Sequence, residues 1–114
     1  MGVHDQLQIE VSHDGGRAIL ALVGELDMAS ADRLQQAVDD DALRTETSVV
    51  LDLEGLQFID STGLRVILRA LERCRGRGQE FAITRGSPQV QRLLSITGVA
   101  AHLPTISSTD EMVA

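Results

Sequence analysis

The chain has 114 residues, of which 43% are hydrophobic, 24% charged and 2% aromatic, with a formal net charge of −7 and neither Trp nor Tyr. That length holds one core, which buries roughly two thirds of the surface the unfolded chain exposes, and no run approaches the ~18 to 20 apolar residues of a membrane span. The acidic balance and the missing aromatics argue against direct nucleic acid binding, which relies on surplus Lys and Arg and on stacking platforms.

Residues 1–5 show no basic start followed by an apolar run, so no secretory leader is expected and the cytoplasm is the expected compartment. Leu7, Ile9 and Val11 then alternate with Gln8, Glu10 and Ser12, the period of two of a strand with one wet face. His13, Asp14, Gly15 and Gly16 supply turn chemistry, and the apolar run 18–24 is a second strand, completing a hairpin. Ser30 is placed to cap a helix starting near Ala31, with Asp32 in its first turn and Leu34, Ala37 and Val38 on one face. It should end near Asp39, Asp40 and Asp41, three acids that oppose the helix dipole and are expected exposed or past the last turn. The β-branched run 48–53 reads as a buried strand.

Between Gly63 and Gly76, Leu64, Ile67, Leu68, Leu71 and Cys74 recur at helical spacing, while Arg65, Arg69, Arg73 and Arg75 lie largely off that stripe. Cys74, the only cysteine, excludes an internal disulfide and is expected as a buried, inert thiol. Residues 80–84 form a strand, Ser87 and Pro88 supply a cap and a first helical position, and Val90, Leu93 and Leu94 face inward until Gly98. A short edge strand is expected to include His102 and Leu103, and 107–114 to form a tail or one further short helix. Alternation of strands and helices after the hairpin predicts an α/β fold: a mixed, mainly parallel sheet of four to five strands, right-handed crossovers and about four helices. A single domain over 1–114 follows, with its core at about 7–104.

Two segments carry the chemistry. Residues 55–63 lead from a strand into the clearest helix, which puts Asp60, Ser61, Thr62 and Gly63 in a strand-to-helix turn, where open α/β sheets place their sites. Asp60 or Ser61 caps that helix by its residue type. The same free N–H groups and positive dipole end tolerate a phosphate on Ser61, which adds a charge of about −1.5 to −2 beside Asp60. Gly24, Glu25, Leu26 and Asp27 form a second strand-end loop, with Asp27 or Ser30 as cap, and the sheet is expected to bring it beside Ser61.

From Leu7 to Leu103 the chain resembles the STAS domain of bacterial anti-sigma factor antagonists. The resemblance rests on Gly24-Glu25-Leu26-Asp27, on Phe58-Ile59-Asp60-Ser61-Thr62-Gly63-Leu64 with Val66-Ile67-Leu68, and on Ser87-Pro88-Gln89-Val90 leading to Leu93, Leu94 and Gly98. It implies a STAS fold and a partner switch in which Ser61 is phosphorylated by an anti-sigma factor that is also a serine kinase. The unphosphorylated form binds that kinase and releases its sigma factor; a serine phosphatase resets the switch. The implied contact surface is Glu25, Asp27, Asp60, Ser61, Thr62, Gly63, Leu64, Arg65 and Arg69. Arg65 departs from the small residue some members carry there, and with Arg69 and Arg73 at i,i+4 spacing it makes the helix more basic than the net charge suggests. Thr62 competes with Ser61 on chemistry alone, and the resemblance favours Ser61. A monomer is the simplest expectation, with a scaffold or accessory subunit of a signalling assembly or transport system as the alternative.

An enzyme reading would make Ser61 a nucleophile, which requires a positioned base. His4 and His13 fall in a terminus and a turn, and His102 at a strand edge. No metal-ligand spacing, phosphate loop or G-x-S-x-G elbow is present, so no catalytic site, metal or cofactor is expected.

Overall fold

The computed structural model describes residues 6–107. Strands β1 (Leu7–Asp14) and β2 (Arg17–Leu26) form the expected hairpin. Its turn is shorter than the four residues anticipated: His13 pairs with Ala18 and Asp14 with Arg17, because Gly15 and Gly16 both adopt positive φ, 61° and 83°. Two such residues suffice for the tight turn whose twist matches the strands.

Helix α1 (Ala31–Asp39) buries Ala31, Leu34 and Val38. Asp40 ends it and caps a short 3₁₀ turn, Asp41–Leu43, by accepting from the Ala42 N–H. Strand β3 spans Ser48–Ile59, six residues beyond the end anticipated at Leu53. Its pairing with β2 shifts register between Ala21/Val23 and between Gly24/Glu25. Each shift places an extra residue on β3, so the strand continues while its period of two is broken.

Helix α2 runs Ser61–Gly76, strand β4 Glu80–Thr84 and helix α3 Pro88–Ile96. The strand expected at His102 and Leu103 is replaced by a 3₁₀ turn over Val99–His102 followed by β5, Thr105–Ile106. Gly98, at φ 77°, turns the chain out of α3, and buried Leu103 anchors the segment against the core. The described residues thus contain three α-helices and two 3₁₀ turns rather than about four helices; the tail or short helix expected over 107–114 lies, past Ser107, outside them.

The sheet order is β1-β2-β3-β4-β5, with only the edge pair β1–β2 antiparallel. α1 packs on α2, α2 on β3 and β4, and α3 on β3. One cluster joins Leu20, Leu22, Leu51 and Ile83 of the sheet with Leu34, Ile67, Leu71 and Leu94 of the helices. Each such fully buried side chain contributes about 1.5–3 kcal/mol relative to exposure. This core fixes where α2 starts over the ends of β2 and β3.

Candidate functional site

β2 and β3 run parallel to their common end, with Glu25 opposite Phe58 and Leu26 opposite Ile59. The two motifs are therefore neighbours in space. Glu25 and Leu26 belong to β2 rather than to the loop anticipated, because Gly24 bends the chain at φ +109° and lets the Glu25 N–H donate to the Gln6 carbonyl at 2.6 Å. A Cβ on Gly24 would sit 1.9 Å from that carbonyl oxygen.

Asp60 joins the two segments. Its N–H donates to the Leu26 carbonyl at 3.2 Å, and its Oδ1 accepts from the Gly63 N–H at 2.9 Å. Its Oδ2 accepts from the Met28 N–H at 3.2 Å, in the loop between β2 and α1. One carboxylate thus caps α2 and ties it to the neighbouring loop. Capping by Asp60 alone also shortens the expected turn: Ser61, Thr62 and Gly63 form the first turn of the helix. Gly63 is required there, since a Cβ would lie 2.4 Å from the Leu26 carbonyl oxygen.

Ser61 is the first helical residue and is exposed. Its hydroxyl makes no hydrogen bond among the described residues, and it stands where the unpaired N–H groups and dipole of α2 favour negative charge. Thr62 is half-buried and Leu64 buried.

On the adjoining loop, Asp27 Oδ1 accepts from the Ala29 N–H at 3.0 Å. Ser30, anticipated as the cap of α1, makes no side-chain cap bond. It is buried, and its hydroxyl accepts from the Asp27 N–H at 3.0 Å and donates to the Glu25 carbonyl at 2.8 Å. The loop is held from inside, leaving the Asp27 carboxylate at its half-exposed outer side.

Arg65 and Arg69 are exposed one and two turns further along α2. Arg69 lines a cleft between α1 and α2 rather than the Ser61 turn itself. Two flanking residues escape the sequence reading. Met28 is 78% and Phe58 46% exposed; Met28 is an apolar residue in a polar loop, the signal that marks it, whereas Phe58 stands in the apolar stretch Leu56-Gln57-Phe58-Ile59 and nothing in the sequence marks it as exposed. Phe58, Ile59, Leu93 and Ile96 line an apolar groove of about 280 Å³ beside the Ser61 turn.

The remaining reactive groups lie elsewhere. His13 contacts Glu46 at the hairpin end of the sheet, and His102 is exposed in the 3₁₀ turn after α3; His4 is outside the described residues. Cys74 is buried as anticipated, and burial pushes its thiol up to about 11, with the Arg77 charge opposing. No cluster of His, Cys, Asp or Glu suited to a metal occurs among the described residues, and no helix among them is long and apolar enough to cross a membrane.

The STAS domain family model matches residues 8–112. The anti-sigma F factor antagonist of Paenibacillus polymyxa is 38% identical over 99 residues, covering 86% of this chain and 85% of that protein. Among solved structures, an anti-sigma factor antagonist from Mycobacterium paratuberculosis superposes with a TM-score of 0.84 at 25% identity, over 94% of this chain and 91% of the other. A sulfate transporter family protein from Wolinella succinogenes shares the fold, with a TM-score of 0.73 at 22% identity over 87% and 83% of the two chains.

Proposed function

The chain belongs to the STAS domain family, and from that premise we propose that it is an anti-sigma factor antagonist switched by phosphorylation of Ser61. The unphosphorylated protein binds an anti-sigma factor that is also a serine kinase, and its sigma factor is released. Glu25, Asp27, Asp60, Ser61, Thr62, Arg65 and Arg69 supply the contact surface, while Gly63 and Leu64, expected in it from the sequence, are buried and hold the turn against the end of β2 instead. A serine phosphatase restores the hydroxyl, and the protein works as a cytoplasmic monomer without a cofactor or catalytic centre of its own.

The observation that carries this reading is the division of labour at the start of α2. Asp60 makes the cap and the bridge to Met28, which leaves the Ser61 hydroxyl exposed and without a structural task. A phosphate there adds charge at a helix N-terminus, where it is tolerated, and breaks no bond that holds the fold. It acts on the partner instead: it swells a turn built for close contact and places a dianion beside Asp27 and Asp60. Loss of binding through repulsion and obstruction follows without unfolding.

The test is a binding titration of the host's anti-sigma factor against wild type, Ser61→Ala and Ser61→Glu. Ser61→Ala should bind within about threefold of wild type and Ser61→Glu at least about tenfold more weakly, as for a charge set into a close interface. Equal affinity for Ser61→Glu and wild type would contradict the mechanism.

A further inference from the structure

All ten basic residues of this chain are Arg, and four of them, Arg44, Arg69, Arg73 and Arg77, meet at one cleft of about 530 Å³ between α1 and α2. Such a concentration runs against a net charge of −7 and is only partly compensated from within. Arg73 Nε stands 3.3 Å from Asp39 Oδ1, and Arg44 Nε 3.7 Å from Asp41 in a pair exposed on both sides. Arg77 Nη1 donates to the Val38 carbonyl at 3.4 Å. Arg69 is exposed and has no hydrogen bond or ion pair among the described residues. Glu72 is the one acid lining the cleft.

We infer that this arginine cleft is a second contact surface for the anti-sigma factor and receives an acidic, Asp- or Glu-bearing segment of it. The inference rests on the partner-switching reading and extends it to α1 and the 3₁₀ turn after it. Ser61, Arg65 and Arg69 follow one another at i,i+4 spacing on a single face of α2. At 1.5 Å per residue, Arg69 lies about 12 Å from Ser61 along the axis, so a partner covering Ser61 reaches the cleft without leaving the helix. Guanidinium forks bind carboxylates with two parallel hydrogen bonds, which a lysine cannot do. A protein segment fits better than a nucleic acid strand. No aromatic side chain lines the cleft for stacking, and a chain with a net charge of −7 offers no extended basic track for a phosphate backbone beyond it.

The experiment measures binding of the host's anti-sigma factor to the full chain and to Arg69→Glu, Arg44→Glu and the double variant, across ionic strength, with thermal melting as the control of folding. At about 50 mM salt the double variant should bind at least about tenfold more weakly, chiefly through a slower association rate, and with a shallower salt dependence. If the double variant does not fold, Arg69→Gln serves alone, because Arg69 holds no contact in the fold; about a threefold loss is then expected. Failure of wild type to bind would overturn the partner-switching reading itself. Wild-type binding that Ser61→Glu abolishes, with the arginine variants within twofold of wild type at low salt, would overturn the cleft, and the place of Arg69 in the contact surface with it, while the Ser61 switch stands. So would a single-stranded oligonucleotide whose binding is lost in Arg69→Glu while anti-sigma factor binding is kept.

Discussion

Helices α2 and α3 both begin just past the end of a parallel strand, and each is capped by a side chain that accepts the N–H three residues on: Asp60 from Gly63 at 2.9 Å, Ser87 from Val90 at 3.3 Å. What differs is what remains after capping. At α3 the hydroxyl is itself the cap and Pro88 occupies the first helical position, so nothing reactive is left. At α2 the carboxylate caps with one oxygen, reaches the neighbouring loop with the other, and leaves the next residue's hydroxyl idle. A modifiable serine at a helix start thus need not be a structural serine, and the separation of the two tasks is what permits a switch without a change of fold.

The largest test of that contrast is at the third helical position, Gly63 in α2 and buried Val90 in α3. Gly63→Ala forces a Cβ to 2.4 Å from the Leu26 carbonyl oxygen and should cost about 2–3 kcal/mol in urea unfolding, as overpacking does. A loss below about 0.5 kcal/mol, the range of an ordinary surface change, would mean that α2 is not pressed against the end of β2.

The inner half of the same helix sharpens the comparison. Cys74 is buried where Ser61 is exposed, and its thiol is raised from 9.0 to about 11. Above pH 9 the unfolded thiol ionises first, so the unfolded state binds fewer protons and stability falls as pH rises toward 11. Relative to Cys74→Ala, wild type should lose on the order of 2 kcal/mol over that interval. A difference between the two that stays constant with pH would place the thiol in contact with water.

Removing the caps separates the two helix starts. Asp60→Ala loses two hydrogen bonds and should cost about 2 kcal/mol, against about 1 kcal/mol for Ser87→Ala. Equal losses would show that the bond to Met28 adds nothing to the cap. Smallest of all is Ser61→Ala, expected within about 0.5 kcal/mol of wild type; a larger loss would return Ser61 to a structural role.

Much of this arrangement is legible in the residues. The hairpin, the span of α1, the apolar stripe of α2, the β4 strand and the Ser87 cap follow from periodicity and capping chemistry, which act over a few residues. The far half of β3 is not legible, because two bulges put Gln57 and Phe58 both on exposed positions and remove the alternation that marks a strand. Ser30 misleads for a related reason: its hydroxyl meets the Glu25 carbonyl inside the loop rather than a helix N–H. Asp60 was one of two candidate caps, and only the approach of Met28 from a different strand end gives its second oxygen a partner. The arginine cleft is likewise half visible, since Arg69 and Arg73 lie on one helix, whereas Arg44 joins them only through the packing of α1 on α2.

The separation of cap from switch is tested most directly by locating the phosphate. Wild type, Ser61→Ala and Thr62→Ala are incubated with the host's anti-sigma kinase and ATP, and the modified residue is identified by mass spectrometry. The expected result is one phosphate on Ser61 in wild type and in Thr62→Ala, and none in Ser61→Ala. Phosphate on Thr62, or equal incorporation in wild type and Ser61→Ala, would contradict it.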